Sequence, residues 1–380
     1  MLHKYKILYV IDNLEFGGGE RGFLQIMNGL NKENFAIHVA SHPGGEFGKK
    51  ISEMRVSFLP VNMLKRYNLL TILKLISIIS KKGIHIVHSQ GARADFFARV
   101  AVRATHRPYL VSTIQMPVEG YNVSVLRKRF YLFFDRFFER YVDHFIVVSD
   151  SLKRTIAKDH QVDLNKISKV YNGIELDVYK PDVLGHSSKE IKENIGIKSG
   201  DFVLGAVGRL IWQKGFEDLI CSLPQIVKMH PEVKLLIVGD GPLRKSLQEL
   251  AEGLNVNDSI FFTGFRNDLK EILSSIDLLI IPSLLEGFPM ITLEAMAMEK
   301  PIIATNIDGI TEQITNEKDG ILVPPKEPNE IAKAIMKLFL NQEGARRMAS
   351  AARKKVEHQF SVKKMIAETE KVYLSILELN

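Results

Sequence analysis

The stretch DLLIIPSLLEGFPMITLEAMAMEKPIIATN, residues 277–306, decides the fold class of this chain. DLLIIPS (277–283) is a short apolar run of the length of a buried strand, and PIIATN (301–306) is another. Between them, Pro289 suits the first position of a helix, because its φ is fixed and it has no N–H to leave unpaired. The run MITLEAMAME then reads as helix. Strand, loop, helix and strand in about 30 residues make a βαβ unit, and repeated units of this kind build a parallel sheet covered on both faces.

The same alternation runs outward in both directions. Toward the C-terminus, GILVPP (320–325) is a further strand. Upstream, strands are predicted at DFVLGAVGRL, at VKLLIVGD (233–240) and at SIFFTGF (259–265). An earlier cycle holds strands at 6–11, 35–41, 56–61, 84–89, 109–115 and 144–149, with helical stretches between them. Residues 175–200 break the rhythm, being polar and interrupted by Pro and Gly. The chain therefore reads as two doubly wound, Rossmann-like α/β domains, 1–178 and 201–360, joined by a linker at 179–200. The amphipathic tail, 361–380, is expected to pack back on the first domain. Ligands of open sheets bind beyond the carboxyl ends of the strands, so two such domains in series are expected to frame an interdomain cleft.

Composition adds limits. The chain has 380 residues, 46% apolar and 25% charged, an ordinary globular balance. Cys221 is the single cysteine, which excludes an intramolecular disulfide and favours a reducing, cytoplasmic setting. The opening MLHKYKILYVIDN reads as a first strand, not a signal peptide, since its apolar run stops at Asp12. No apolar stretch approaches the ~20 residues of a membrane helix. The net charge of +7 is mild and favours anionic partners.

Chemistry-bearing residues gather at predicted strand ends. Gly17, Gly19 and Gly22 satisfy G-x-G-x-x-G, but DNLEF separates them from the strand and the second strand does not end in an acid. The dinucleotide reading is therefore poor. A plain βα turn and a loop presenting backbone N–H groups to a phosphate or hydroxyl both stay open. Arg209 and Lys214 follow another strand beside a helix start, where two cations and a helix dipole suit a pyrophosphate. The VGDGP turn (238–242) reads equally as structural turn or ligand loop. Glu286 lies in the loop before Pro289, and Glu294 lies on the helix after it, ~7.5 Å along the axis. A carboxylate among Ile291, Leu293, Ala295, Met296 and Ala297 needs partners. The two hydroxyls of a ribose and a structural Arg or Lys serve equally well.

GRLIWQKGFEDLI, VGDGPLRKSLQELAEGL, FTGFRNDL and PSLLEGFPMITLEAMAMEKPIIATNIDGITEQI together resemble the nucleotide-sugar half of the family-4 retaining glycosyltransferases, which have the GT-B fold. The two glutamates separated by seven residues are that family's mark. GGGERG, IVHSQGARADFFARVA, VVSDSLKR and VYNGIELDVYKP are similar to its other segments, so the resemblance spans nearly the whole chain. It implies an N-terminal acceptor domain and a C-terminal donor domain. It also implies catalytic roles for Arg209, Lys214 and Glu286, the two cations holding the donor diphosphate and Glu286 meeting the transferred sugar. Glu294 would bind the ribose. Gly208, Gly239, Gly264, Phe265, Gly287, Phe288, Pro289, Met290 and Leu293 would line the donor site. Gly18, Gly19, Glu20, His88 and Gln115 would face the cleft from the acceptor side.

The resemblance implies a nucleotide diphosphate sugar as donor, a UDP-sugar first among them, and no cofactor. Cations and helix N-termini stabilise a leaving diphosphate without a metal, and the chain has no Asp-x-Asp pair for metal-dependent donor binding. Gln115 is a departure, since the family often has histidine there. Gln115 forms hydrogen bonds but cannot shuttle a proton at neutral pH. His88 is the spare candidate.

Residues 124–145, SVLRKRFYLFFDRFFERYVDHF, interleave basic and aromatic side chains. They read either as a helix on an anionic membrane surface or as a domain helix with one buried and one basic face. Nothing resembles a nucleic-acid module, so no nucleic-acid partner is expected. The expected function is a metal-independent, retaining transfer of sugar to a glycan or lipid-linked acceptor, in bacterial cell-envelope polysaccharide synthesis. The location would be cytoplasmic, with peripheral attachment to the inner membrane face as an extension. The rivals are a catalytically silent sugar-nucleotide binder and an α/β epimerase or dehydrogenase.

Overall fold

The computed structural model describes residues 4–12, 17–54, 56–65, 68–105, 108–116, 140–181 and 187–378. Most of 124–145 lies outside these residues. The described chain divides into two compact units, Met1–Gly173 with Val362–Asn380, and Ile174–Ser361.

In the first unit the elements run β1 (Tyr5–Ile11), α1 (Gly18–Gly29), β2 (Phe35–Ser41), α2 (Gly45–Glu53), β3 (Ser57–Pro60), α3 (Leu69–Lys82) and β4 (Ile86–Gln90). They continue through α4 (Ala92–Thr105), β5 (Tyr109–Ile114), β6 (His144–Val147), α5 (Asp150–Asp159) and β7 (Ile167–Lys169). The strands form one parallel sheet in the order β3-β2-β1-β4-β5-β6-β7. Strand order reverses between β1 and β4, whose register pairs Tyr9 with His88 and Ile11 with Gln90. Ile7, Tyr9 and Ile11 are buried beside Ile86 and Val111, as expected of a sheet covered on both faces.

The second unit contains α6 (Ser187–Ile195), β8 (Phe202–Val207), α7 (Phe216–Cys221), α8 (Leu223–Met229), β9 (Val233–Val238), α9 (Arg244–Gly253), β10 (Ile260–Gly264) and α10 (Leu269–Ser275). It continues through β11 (Leu278–Ile281), α11 (Met290–Ala297), β12 (Ile302–Thr305), α12 (Ile310–Gln313), β13 (Ile321–Val323), α13 (Pro328–Leu340) and α14 (Gln342–Gln359). Its parallel sheet has the order β10-β9-β8-β11-β12-β13. Here the order reverses between β8 and β11.

The opening stretch is thus β11, a loop, α11 and β12. Pro289 sits one residue outside the position expected, as the N-cap with φ −66 and ψ 127, and Met290 opens the helix. Strand β7 escapes a reading by apolar runs because Ile-Ser-Lys is short and polar. Several strands end earlier than their apolar runs, where glycine or proline turns the chain.

The last helix, α15 (Val362–Leu377), belongs to the first unit. Met365, Val372, Tyr373 and Ile376 enter its core with Phe23, Ile26 and Met27 of α1. The unit boundary falls after Gly173, not after 178. Residues 187–195, placed by sequence in the linker with its short lead-in helix, form α6, which packs on α10 and belongs to the second unit. Among the described residues no helix is long and apolar enough to cross a membrane.

Candidate active site

In the second unit, the loops after β8 and β11 meet at the point where the strand order reverses, the usual ligand site of open α/β sheets. They are stitched by backbone. Leu284 N–H donates to the Gln213 carbonyl at 2.7 Å. Gly215 has φ +61, and a Cβ there would stand 2.0 Å from the Pro282 carbonyl oxygen. No other residue allows both that conformation and that approach.

This contact brings two of the sequence candidates together. Lys214 Nζ donates to Glu286 Oε1 at 2.6 Å. Ser283 Oγ donates to the same oxygen at 2.7 Å. The Glu286 side chain is 5% exposed and that of Lys214 20%. A carboxylate so buried is tolerable because it is paired and hydrogen-bonded. Thr305 at the end of β12 donates to the Ser283 carbonyl and supports the loop from below. Arg209 is exposed on the β8 loop.

The glycines of the VGDGP turn have a structural role. A Cβ on Gly239 would meet the Gly208 carbonyl oxygen at 1.9 Å, and one on Gly241 would meet that of Leu210 at 2.5 Å. Gly239 N–H also donates to the Gly264 carbonyl at 2.8 Å. These glycines let three strand-end loops lie against one another. Gly264 has φ +73, and the Phe265 ring beside it is 64% exposed.

On the other side of Glu286, Gly287, Phe288, Pro289, Met290 and Leu293 are all buried. The Phe288 ring packs on Phe360 at 5.4 Å, so its side chain serves the core and only its backbone is left to face a ligand. Gln313 Nε2 donates to the Pro289 carbonyl at 3.0 Å and fixes the start of α11. Glu294 is 1% exposed, and its Oε1 accepts from the Tyr179 hydroxyl at 3.0 Å. Tyr179 is a neutral partner, beside the two that the sequence left open, a ribose and a structural Arg or Lys.

The first unit has its own cluster at the carboxyl ends of β4 and β5. Gln115 Nε2 donates to Gln90 Oε1 at 3.3 Å, and Asn172 Nδ2 donates to Gln115 Oε1 at 3.0 Å. Gly19 lies against both glutamines, with Gln90 Nε2 3.0 Å from where its Cβ would be. Gly17 is the N-cap of α1, with Gly18 and Gly19 in the first turn. Glu20 Oε2 accepts from Gly17 N–H at 2.9 Å, so this carboxylate closes its own helix start.

His88 is a correction. It faces the core, fully buried, with Nδ1 2.5 Å from the Tyr373 hydroxyl and Nε2 2.7 Å from Thr113 Oγ1. Tyr373 in turn shares a 2.8 Å hydrogen bond with Tyr9. Burial pushes the His88 pKa down to about 3. It is a neutral core residue, because it sits in the middle of β4 with its ring directed under α15. Strand alternation puts Gln90 two residues on, and Gln90 instead meets Gln115.

Gln90, Asn172, Ser283 and Tyr179 are the participants that sequence reading missed. The available signal was a polar residue at the end of a buried strand, as in HSQG and YNG. Among the described residues no group of three or more His, Cys, Asp or Glu side chains is set to hold a metal ion.

Comparison with known proteins completes the picture. Residues 16–178 match the family described as Glycosyltransferase Family 4, and residues 187–355 match Glycosyl transferases group 1. An uncharacterized glycosyltransferase of Methanocaldococcus jannaschii is 32% identical over 236 residues, 62% of this chain and 60% of that one. This chain therefore spans under two thirds of that relative. The UDP-Gal:alpha-D-GlcNAc-diphosphoundecaprenol alpha-1,3-galactosyltransferase of Escherichia coli is 26% identical over 388 residues, 98% of each chain. The crystal structure of Anabaena HepE with UDP-glucose has a TM-score of 0.85 at 20% identity, covering 97% of this chain and 99% of that one. At that identity the likeness is one of fold.

Proposed function

The chain belongs to the family-4 glycosyltransferases of GT-B fold, and from that premise we propose that it moves a sugar from a nucleotide diphosphate donor to a glycan or lipid-linked acceptor. The transfer retains the anomeric configuration and needs no metal. It takes place at the cytoplasmic side of a bacterial envelope, in polysaccharide synthesis. The observation that carries the reading is the Lys214–Glu286 pair at the strand-order reversal, with Glu294 on the helix that follows.

In this reading the bond between the anomeric carbon and the diphosphate oxygen breaks, and the diphosphate leaves with the electron pair; the acceptor hydroxyl oxygen bonds to the same carbon from the same face, and its proton passes to the departing diphosphate oxygen. Lys214 and Arg209 stabilise that developing charge, as preorganised cations do. Glu286 holds Lys214 in place and accepts hydrogen bonds from hydroxyls of the transferred sugar. Glu294 accepts from the ribose hydroxyls, with Tyr179 orienting it. Backbone N–H groups of Phe288 and Met290 face the phosphates, and Phe265 flanks the base. A UDP-sugar is the donor of choice, as the E. coli relative is a UDP-Gal enzyme and HepE was crystallised with UDP-glucose. Gln115, held by Asn172 and Gln90 in the first unit, positions the acceptor by hydrogen bonding and takes no proton.

A thermal-shift screen over nucleotide diphosphates and their sugars tests the donor. A ligand at about 100 times its Kd raises stability by about 2.7 kcal/mol. Release of free nucleotide diphosphate from the stabilising sugar nucleotide, and an anomeric product of unchanged configuration by NMR, are then expected. No shift with any nucleotide sugar, or binding without donor turnover, rejects the proposal in favour of another ligand or a silent binder.

A further inference from the structure

The turn that carries Lys214 also carries Trp212, the single tryptophan of the chain. In the stretch from Arg209 to Gly215, Leu210 and Gln213 are buried, while Arg209 and Trp212, three residues apart, are exposed. Trp212 is 44% exposed, and its indole makes no ring, cation or hydrogen-bond contact with a described residue. A tryptophan ordinarily buries most of its ring and finds a partner for its N–H.

The backbone under this ring is tied on both sides. Lys214 N–H donates to the Ile211 carbonyl at 3.0 Å and Gly215 N–H to that of Trp212 at 3.2 Å, which closes a single 3₁₀ turn over Trp212–Lys214. The Gln213 carbonyl accepts from Leu284 N–H at 2.7 Å and from Leu285 N–H at 3.3 Å. Leu284 and Leu285 are half-buried and lead directly into Glu286, the partner of Lys214. A fixed aromatic ring and an apolar flank thus belong to the same two loops as the Lys214–Glu286 pair.

We propose that Trp212 is a platform for the acceptor, its indole stacking on the C–H face of the pyranose that presents the attacking hydroxyl. The proposal rests on the sugar-transfer reading, which fixes the side of approach. When the new bond forms on the face that the old one leaves, the acceptor oxygen enters beside the departing diphosphate. Arg209 and Lys214 hold that diphosphate, and Trp212 lies between them in the chain. A pyranose has a flat patch of C–H groups with hydroxyls at its rim, and a large rigid aromatic covers such a patch at low entropic cost. In the same reading the base goes to Phe265, after β10 and two strands away from the β8 loop, which leaves Trp212 to the other reactant.

Emission from a lone tryptophan reads this ring alone. The full chain, with its stabilising nucleotide diphosphate bound, is titrated with the methyl pyranosides of glucose, galactose, mannose and N-acetylglucosamine. A saturable change in emission is expected with one or more of them, and none with sorbitol, an open-chain polyol without a flat C–H face. In transfer to the responding pyranoside, Trp212→Ala is expected to raise the acceptor KM about tenfold, well beyond any change in the donor KM, and Trp212→Phe to recover most of that loss. Donor turnover by the parent chain, without acceptor, checks the sugar-transfer reading by itself. With donor turnover present, emission unmoved by every pyranoside overturns the platform. So does an unchanged acceptor KM in Trp212→Ala, or an equal rise in both KM values with a lower melting temperature, which would make the ring a support of its loop. Absence of donor turnover overturns the reading and the platform together, so the two failures are distinct.

Discussion

Lys214 Nζ and Glu286 Oε1 are 2.6 Å apart, although 72 positions separate the two residues in the chain. The pairing of β8 with β11 brings them together. The loops after these strands then share a backbone contact at Gly215 that only a residue without a Cβ allows. The ion pair is therefore a property of the sheet topology; three predictions test its surroundings, a fourth the amide cluster of the first unit, and a fifth acid stability.

Removing the cation is expected to cost both activity and stability. Lys214→Met should lower transfer by at least ~100-fold and stability by ~3 kcal/mol, because Glu286 is left buried and unpaired. Lys214→Met with Glu286→Gln should regain much of the stability and none of the activity. Urea titration and kcat on the same proteins check this. A single variant with parental kcat would remove Lys214 from the chemistry.

Glu294 and Tyr179 should separate binding from support. A hydrogen bond to a charged group contributes ~1.5–3 kcal/mol, so Glu294→Gln is expected to weaken donor binding about tenfold or more. Tyr179→Phe should cost ~1 kcal/mol of stability with a smaller effect on the donor. Calorimetric titration with the stabilising nucleotide reads both. Equal donor affinity in the parent and Glu294→Gln contradicts the ribose role.

Gly309 has φ +82, and a Cβ there would stand 2.2 Å from the Gly287 carbonyl oxygen, in the loop that follows Glu286. Gly309→Ala is expected to cost ~2 kcal/mol or more and to reduce donor-induced stabilisation. Gly253, at the end of α9, has nothing within 4 Å of a built Cβ and is the control. Gly253→Ala should be neutral or stabilising by up to ~1 kcal/mol. Thermal melts of the two variants give the comparison.

Asn172→Ala should release Gln115 from one of its two amide partners. Acceptor-dependent transfer is expected to fall about tenfold, the loss of one hydrogen bond of ~1.4 kcal/mol, while donor hydrolysis persists. Loss of both activities in step would instead mean that the cluster supports the fold.

The acid limb of stability should carry the signature of His88. Its pKa is lowered by burial to about 3, against 6.5 in the unfolded chain. Between these values the unfolded state binds the extra proton, so stability is complete above pH ~6.5 and is lost as pH falls toward 3. The slope from this one group is at most ~1.4 kcal/mol per pH unit. His88→Gln should flatten that limb in pH-dependent melts, and an unchanged slope would show that other groups dominate it.

Local pattern carried the fold and the strand-end loops. Apolar runs of strand length, punctuated by glycine and proline, located twelve of the strands, and a strand's carboxyl end is where an α/β sheet meets its ligand. That was enough to single out Arg209, Lys214, Glu286 and Glu294. It did not find β7, which is short and polar.

Side-chain partnership was decided only in three dimensions. His88 and Gln90 are two residues apart on one strand, yet His88 lies under α15 against Tyr373 while Gln90 meets Gln115 at the sheet's end. The partner of His88 comes from 285 residues away, brought by a helix that returns to the first unit. Sequence spacing states which residue types are available at a strand end. Burial, and therefore protonation and hydrogen bonding, depends on what the rest of the chain lays over them. For that reason the two glutamates were legible as a pair from residues 283–301, while the pairing of Glu286 with Lys214 and of Glu294 with Tyr179 was not.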